Sequence, residues 1–297
     1  MMPSDVAWLQ VENTTKCNAW CPSCSRNQQG YGLRPELVIE DLSTDRFREV
    51  LELFSNIHTI QFCGTYGDSA AAANAMDHFE LAVARAKKIM IHSHGGLRST
   101  QWWQDLAGLL KGVDHDVWFA LDGLKGVHEL YRQGTDFDKA IENAQAFISA
   151  GGNATWQLIP FAHNEHQIKD CYQLSQTLGF KQFKVVRDAR YPDSARHWRT
   201  GDLYEIKPWS MDYHFNSRRT IPIKNHVSET NCRHLKDPGV YLNANGTLSA
   251  CCYFDLDRSQ LEFNALPDIA NELTINPHRT CLRMCGTPVI LDQHATD

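Results

Sequence analysis

The chain has 297 residues, of which 42% are hydrophobic and 22% charged, and its formal net charge is −6. This composition predicts a globular protein with enough apolar material for one large domain and one small one. The negative charge balance makes nucleic acid an unexpected partner. No apolar run approaches the length of a membrane helix, and residues 1–10 lack the basic and apolar parts of a signal peptide. We therefore expect a cytoplasmic protein with no membrane partner.

The first strand-like run, Ala7 to Glu12, leads into a loop that carries Cys17, Cys21 and Cys24 with the spacing C-x3-C-x2-C. Three thiolates on one short loop can hold three corners of a four-iron cluster and leave the fourth iron open to another ligand. A structural zinc site would need a fourth protein ligand, and no His or Cys follows Cys24 within a few residues. The ten cysteines of the chain also fall in clusters, which favours metal binding over disulfides.

Strand-like runs continue to alternate with helical patterns along the chain. The six runs are Ala7 to Glu12, His58 to Cys63, Lys88 to His92, Val117 to Leu121, Thr155 to Pro160 and Gln182 to Val186. Helical spacing of apolar residues follows the capping candidates Ser43 or Thr44 for one helix, Ser99 for a second and Thr135 for a third, and a further helix that ends at Gly179 contains Cys171. We predict that Cys171 is a core residue and not a metal ligand.

This alternation predicts a parallel sheet, either open and doubly wound or curled into a partial barrel. Both arrangements place the chemistry at the carboxyl ends of the strands. Residues there that could act as a base are Tyr66, His94, His163 and Asp188, each of which could equally be a packing or hydrogen-bonding residue. Neither a phosphate-binding loop nor a dinucleotide-binding glycine fingerprint is present.

The alternation stops after about residue 190, where a second unit is predicted. Asn245 and Gly246 between two β-prone stretches indicate a hairpin. Residues 181–236 hold 12 Lys or Arg and 6 Asp or Glu, interleaved with aromatic residues. Such a stretch could stack a ring and neutralise a phosphate, or it could be a solvated connector anchored on the core by its aromatic side chains.

The cysteine triplet, the six β/α units and the glycine-containing turn after the second strand together resemble the radical S-adenosylmethionine (radical SAM) enzymes. The resemblance covers about residues 5–190. It implies a partial (β/α)6 barrel of the TIM type and a [4Fe–4S] cluster on Cys17, Cys21 and Cys24 whose open iron binds S-adenosylmethionine. One electron then cleaves the cofactor, and the 5′-deoxyadenosyl radical abstracts hydrogen from a substrate in a dry barrel mouth.

The same resemblance implies contacts to the methionine and adenine parts of S-adenosylmethionine. Tyr66-Gly67-Asp68 occupies the place of the family's Gly-Gly-Glu turn. Gly67 would present backbone there, and Asp68, a shorter acid than the family uses, would accept a hydrogen bond from the methionine amino group. Ser23 replaces a usual aromatic residue, so it would contact adenine through its backbone.

Contacts to the ribose, the methionine carboxylate and the adenine ring are implied on later strands. Asp122 would contact the ribose, and Arg132 resembles the arginine that pairs with the methionine carboxylate. A capping acid and a surface ion pair are the alternatives for these two residues. Ile159 and Val186 would line the adenine slot.

The remaining cysteines resemble an auxiliary-cluster module called SPASM or, in its shortened form, twitch. The ligands implied for an auxiliary [4Fe–4S] cluster are Cys232, Cys251, Cys281 and Cys285. Cys252 could replace Cys251, and zinc on the same four cysteines is the alternative. The implied domains are a radical SAM core at 1–190, a connector at 191–230 and a small α+β twitch domain with a β-hairpin at 231–297.

A cluster with four cysteine ligands favours electron relay, and hence a net oxidation such as dehydrogenation or bond formation. We expect a small-molecule substrate, possibly an anion, sugar or nucleotide, and a reductant such as flavodoxin or ferredoxin. A peptide-modifying maturase is the first alternative, although the early first strand leaves no room for an N-terminal peptide-binding domain. A non-catalytic metal-dependent protein that binds zinc or RNA is the second.

Overall fold

The computed structural model describes residues 5–186, 195–210 and 239–249, and in these residues the chain forms ten strands and six α-helices. The strands are β1 (Asp5–Val11), β2 (Asn56–Phe62), β3 (Ala86–Ser93), β4 (Asp114–Ala120), β5 (Ala154–Leu158), β6 (Gln182–Val185), β7 (Ala195–Arg196), β8 (Leu203–Tyr204), β9 (Gly239–Leu242) and β10 (Leu248–Ser249). The helices are α1 (Thr44–Glu52), α2 (Ala75–Val83), α3 (Thr100–Leu109), α4 (His128–Tyr131), α5 (Phe137–Ser149) and α6 (Ile168–Thr177). Short 3₁₀ turns occupy Ser25–Gly30, Ser69–Ala71 and Glu165–Gln167.

One sheet of eight strands organises the molecule, in the order β10-β9-β1-β2-β3-β4-β5-β6. Strands β1 to β6 lie side by side in chain order, and every neighbouring pair among them is parallel. Each of the six predicted runs overlaps one of these strands. The predicted α/β fold with a mostly parallel sheet is confirmed, and it brings the six loops that follow the strands to one edge.

The alternation of side chains along the strands divides the sheet into an apolar face and a more polar one. In β3, Ile89 and Ile91 belong to the main hydrophobic core, whereas the ring of His92 forms a hydrogen bond with the Gln61 side chain of β2 at 2.8 Å. Helices cover the apolar face; the Trp103 ring of α3, for example, lies 5.0 Å from the Phe119 ring of β4. This core fixes the strands and therefore the loops that follow them.

Two of the three predicted helix caps are confirmed. The Ser43 and Ser99 side chains accept backbone N–H groups in the first turns of α1 and α3. The third prediction is wrong by one residue, because Asp136 caps α5 while the Thr135 hydroxyl donates to the Arg132 carbonyl at 2.7 Å. A carboxylate is the stronger acceptor for the free N–H groups of a helix start.

The sequence also predicted a buried cysteine and a β-hairpin. Cys171 is fully buried in the core, as predicted. The predicted hairpin forms between β9 and β10, with Gly246 at a φ of 84°. Strand β9 pairs in parallel with β1 and so extends the main sheet. The domain boundaries at 190 and 230 stay a prediction. Within the described residues no helix is long and apolar enough to cross a membrane.

Candidate active site

The three-cysteine loop follows β1 and is held by backbone hydrogen bonds on both sides. The Trp20 N–H donates to the Gln133 carbonyl at 2.7 Å, and the Asp68 N–H donates to the Lys16 carbonyl at 2.9 Å. Cys21 is buried, Cys17 and Cys24 are half-buried, and all three are free thiols. The structure therefore gathers these thiols on one loop at the carboxyl edge of the sheet.

The thiols of this loop raise one another's pKa. Burial raises the pKa of Cys17 well above its usual range, and negative charge on Asp68, Cys21 and Cys24 raises it further. Burial raises the pKa of Cys21 to about 11, against the opposing effect of the Arg132 guanidinium. The Cys17 and Cys21 thiols are therefore protonated near neutral pH, and a metal must displace their protons when it binds.

The chemistry of this loop fits an iron–sulfur cluster. The Ala19 N–H donates to the Cys17 sulfur at 3.4 Å, and Nη1 of Arg132 donates to the Cys21 sulfur at 3.7 Å. Among the described residues, no three His, Cys, Asp or Glu side chains surround a single-ion position. In a four-iron cluster each thiolate binds a different iron, and hydrogen bonds to the sulfurs help to set its potential. Three free thiols, two of which accept an N–H donor, are a suitable donor set for that group.

The turn after β2 packs directly against the start of the cysteine loop. Gly67 has no room for a side chain, because a Cβ would lie 1.8 Å from the carbonyl oxygen of Thr14. Glu12, which follows β1, holds the same turn: its Oε1 accepts the N–H groups of Tyr66 at 2.6 Å and Gly67 at 3.1 Å. Its Oε2 accepts the Tyr241 hydroxyl at 2.7 Å. Burial raises the pKa of Glu12, and these hydrogen bonds oppose the effect.

Asp68 joins this turn to the end of β3. The Ser93 hydroxyl donates to both carboxylate oxygens, at 2.8 and 3.1 Å, and the His94 N–H donates to Oδ2 at 2.8 Å. The Ala70 N–H donates to Oδ1 at 2.9 Å. Three donors of the protein thus engage the carboxylate that the sequence assigned to the methionine amino group.

His94 lies next to Asp68 with both ring nitrogens hydrogen-bonded. Nδ1 accepts the Gly96 N–H at 3.1 Å, so the ring proton is on Nε2, which lies 2.8 Å from Oδ1 of Asn18 in the cysteine loop. Burial lowers the pKa of His94, partly opposed by the charge on Asp68. The ring is therefore neutral and ties β3 to the cysteine loop.

Asp122 and Arg132 form a buried ion pair, not a surface one. Nε of Arg132 lies 2.6 Å from Oδ2 of Asp122, whose side chain is fully buried. The other carboxylate oxygen accepts the Ile159 N–H at 2.6 Å. Although burial opposes it, the negative charge of Asp122 and Cys21 raises the pKa of Arg132 well above its usual value. The pair connects the ends of β4 and β5 with the second cysteine.

The residues predicted around adenine lie near the same edge. Ser23 is buried, and its hydroxyl shares a short hydrogen bond with the Tyr131 hydroxyl. Ile159 belongs to the apolar cluster that contains Cys21 and Phe161. Val186 is half-buried, and its N–H donates to the Leu158 carbonyl at 2.8 Å just after β6.

Two of the predicted bases have different surroundings. The His163 ring stacks on Phe161 with 5.2 Å between centroids, and burial lowers the pKa of His163 to about 4. Its Nε2 is buried with no hydrogen-bond partner in the part of the chain that the structure describes. The Tyr66 hydroxyl accepts a hydrogen bond from Arg34 at 3.1 Å.

A segment of residues 195–210, which we name the cover segment, packs over the cysteine loop. Trp198 stacks on Trp20 with 5.8 Å between centroids and an interplanar angle of 4°. Ile206 is buried in the same cluster as Cys21, and the Tyr204 hydroxyl donates to the Leu130 carbonyl. These contacts shield the second cysteine from water.

Sequence reasoning missed two buried side chains that hold the site. The sequence pattern marked Glu12 only as the last residue of the first strand-like run. The signal that could have identified it is an acid at the last position of an apolar run that leads into the cysteine loop. Asn164 is fully buried, and its amide bonds the carbonyls of Asp122 and Ile159 at 3.2 and 2.9 Å. Asn164 had no signal beyond its position after the fifth strand.

The predicted residues Asp188, Cys232, Cys251, Cys281 and Cys285 lie outside the described residues. Their assignments stay predictions.

No family model matches the sequence, and no curated protein matches it. Solved structures of radical SAM enzymes match its fold. SuiB of Streptococcus suis bound to S-adenosylmethionine is 12% identical with a TM-score of 0.60, over 95% of this chain and 68% of SuiB. anSMEcpe with bound AdoMet and Cp18Cys peptide is 16% identical with a TM-score of 0.56, over 94% of this chain and 87% of that one. Methylornithine synthase (PylB) is 12% identical with a TM-score of 0.51, over 94% and 85%. At these identities the likeness shows the fold.

The comparison corrects the predicted partner. The expectation of a small-molecule substrate is wrong: SuiB is also solved bound to precursor peptide SuiA, and anSMEcpe holds a peptide beside AdoMet. The sequence argument rested on charge and aromatic content in residues 181–236, and these side chains can contact a peptide as readily as a sugar or nucleotide.

Proposed function

We propose that this chain is a radical SAM enzyme that acts on a peptide. The observation that carries the proposal is the gathering of three free thiols on one loop after β1, with the Arg132 guanidinium 3.7 Å from the Cys21 sulfur. The neighbouring structures support both parts, because they share the fold and hold S-adenosylmethionine or AdoMet and peptides.

In this proposal Cys17, Cys21 and Cys24 bind a [4Fe–4S] cluster as thiolates and leave one iron open. The reduced cluster would supply the electron that cleaves S-adenosylmethionine to the 5′-deoxyadenosyl radical, which takes a hydrogen atom from the peptide. The N–H groups of Ala19 and Arg132 at the sulfurs stabilise the thiolate charge. The cover segment keeps water from Cys21, which protects a reactive carbon radical from side reactions.

The cofactor contacts are proposed for residues around the same edge. Arg132 would pair with the methionine carboxylate, because its guanidinium already lies between Asp122 and Cys21. Asp122, through its hydrogen bonds, would fix Arg132 and the start of the adenine slot at Ile159. The remaining proposed contacts are Ser23, Gly67, Asp68 and Val186.

Asp68 and Gly67 would act in different ways at the methionine amino group. Since Ser93, His94 and Ala70 already donate to the Asp68 carboxylate, its main part would be to hold the turn. Gly67 has no room for a side chain, brings that turn against Thr14 and would present its backbone there.

His163 is the base that we propose among the four candidates. Its buried Nε2 has no hydrogen-bond partner in the described part of the chain, and burial lowers the pKa of His163 to about 4, so the ring is neutral and would act as a base only if substrate binding raised that pKa. His94, by contrast, has both nitrogens hydrogen-bonded. Thiolates of Cys232, Cys251, Cys281 and Cys285 would hold an auxiliary [4Fe–4S] cluster, and the reaction would be a net oxidation of the peptide. Support for this last step is the cysteine spacing alone.

Anaerobic reconstitution followed by iron, sulfide and zinc counting tests the proposal. We expect two four-iron clusters and dithionite-dependent release of 5′-deoxyadenosine. Cys21→Ala should abolish release and lose one cluster, whereas the matched control Cys171→Ala, which removes a buried thiol far from the loop in sequence, should keep both. Stoichiometric zinc without cleavage, or cleavage that survives in Cys21→Ala, would refute the assignment of the cysteine loop.

A further inference from the structure

An opening lies beside the cysteine loop. It is a cavity of about 580 Å³ whose lining includes Cys17, Lys16, Arg26, Arg98, Ile39 and Leu97. Of the three thiols only Cys17 lines it, so the cavity lies on the Cys17 side of the cysteine loop. Its size suits one side chain and part of the backbone of a bound peptide, not a whole folded domain.

The charge of this cavity is positive and mostly uncompensated. Its lining contains three cationic side chains and no carboxylate. Lys16 pairs with Asp41 at 2.6 Å. Arg26 donates to the Thr15 carbonyl, and neither Arg26 nor Arg98 forms an ion pair with a carboxylate in the described part of the chain. A guanidinium that is bonded only to carbonyl groups keeps its charge for an anionic ligand.

Arg98 is held in an unusual conformation at the rim. Its φ is 69°, and it alone among the described residues other than glycine has a positive φ. Its guanidinium donates to the Ala70 carbonyl at 2.7 Å and to the Ala72 carbonyl, and lies 5.6 Å from the Trp102 ring centroid. Such a conformation is unfavourable for a residue with a side chain and is typical of positions with a function. The structure thus holds one end of Arg98 firmly beside the cavity.

An exposed apolar surface adjoins the cavity. Tyr31, Leu33, Val38 and Ile39 are 53%, 38%, 62% and 44% exposed, and Ile39 also lines the cavity. Thr15 fixes this loop beside Cys17, because its hydroxyl donates to the Val38 carbonyl at 2.7 Å. Leu33, Val38 and Ile39 are a favourable surface for apolar side chains of a partner, whereas the Tyr31 ring also has the Arg196 guanidinium 5.0 Å from its centroid.

We propose that this cavity binds the carboxylate of an acidic side chain in a peptide whose neighbouring apolar residues pack on residues 31–39. The proposal rests on the proposed function and specifies its substrate class, an acidic and apolar peptide segment. Charge complementarity to Arg26 and Arg98 selects the acid, and Ile39 connects the acid site to the apolar surface. An acidic electron-donor protein is the competing occupant; a volume of about 580 Å³ matches one inserted side chain with part of its backbone.

Peptide selection on the full, cluster-loaded chain with S-adenosylmethionine present tests this proposal. Random 12-residue peptides displayed on phage should enrich Asp or Glu beside apolar residues. The acidic preference should disappear with Arg26→Gln and with Arg98→Gln, and persist with Arg98→Lys. It should also persist with Arg48→Gln, a matched control on the exposed face of α1. In fluorescence anisotropy, replacing the acid of a selected peptide by its amide should raise the Kd at least about tenfold for the wild type and less than about twofold for Arg98→Gln.

Each other outcome decides against the proposal. Enrichment of peptides without an acidic preference, or equal loss of that preference in Arg48→Gln, would overturn the acid site and leave a peptide substrate intact. No enrichment of any peptide, with 5′-deoxyadenosine release unaffected, would overturn the peptide part of the proposed function. Displacement of selected peptides by flavodoxin, with weaker flavodoxin binding to Arg98→Gln, would assign the cavity to an electron donor.

Discussion

Gly67→Ala should break the contact between the turn after β2 and the cysteine loop. An added Cβ would lie 1.8 Å from the Thr14 carbonyl oxygen and 2.6 Å from its carbon, and both atoms belong to backbone that leads into the loop. The two segments must separate by about 1.2 Å to reach even the shortest tolerated contact, and the densely packed interior resists this. We expect a loss of about 3 kcal/mol in the free energy of unfolding. The three thiols should also lose their common geometry.

Urea unfolding followed by tryptophan fluorescence measures the stability, and iron content after reconstitution measures the loop. Gly108→Ala is the matched control: its Cβ would meet nothing within 4 Å, and it lies inside α3. That change should stabilise the protein by about 0.5–1 kcal/mol, because alanine favours a helix over glycine. If Gly67→Ala unfolds at the wild-type urea concentration and binds the wild-type amount of iron, the close approach of turn and loop is not required.

Two further predictions concern buried carboxylates. Burial raises the pKa of Glu12 above its ordinary value of 4.5, so the folded protein retains a proton that the unfolded chain releases, and stability falls as the pH rises from 4.5 through the raised pKa. Glu12→Gln does not titrate, so its stability relative to the wild type should increase with pH across that window in urea unfolding; a difference that stays constant with pH would contradict this. Arg132→Gln should cost about 3–5 kcal/mol, because it leaves the Asp122 charge buried without its partner. Adding Asp122→Asn should recover most of the loss in the same assay, and two losses that simply add would argue against the ion pair.

The order of elements could be predicted from the sequence because each strand carries an apolar face. Runs such as Ala7 to Glu12 and Lys88 to His92 alternate with helices whose spacing is visible in one dimension. The pairing of β9 with β1 could not be predicted, because it joins residues more than two hundred positions apart and depends on the edge that β1 leaves open. A sequence signal for a hairpin predicts the turn but not the strand of the sheet with which the hairpin pairs.

The cysteines of the site could be predicted because their chemistry is unusual and their spacing is local. The roles of the polar residues around them could only be assigned by analogy with the radical SAM enzymes. Their hydrogen bonds in the structure differ from the contacts that this analogy implies. Asp68 is one example, because its carboxylate binds Ser93 and His94 of the next strand, and neither contact has a sequence signal. Glu12 is another, because an acid at a strand end is usually exposed and here is 1% exposed.

Three buried acids share one arrangement that explains how this edge of the sheet is kept in register. Glu12 after β1 accepts N–H groups from the turn after β2. Asp68 in that turn accepts donors from Ser93, which ends β3, and from the residue after it. Asp122 after β4 accepts the Ile159 N–H after β5. Each carboxylate therefore links one loop to the next, and a buried charge that satisfies neighbouring backbone donors resists displacement. Because the protein already engages these acids, we propose that they act mainly by keeping the thiols, Arg132 and the neighbouring backbone in place before a cofactor binds.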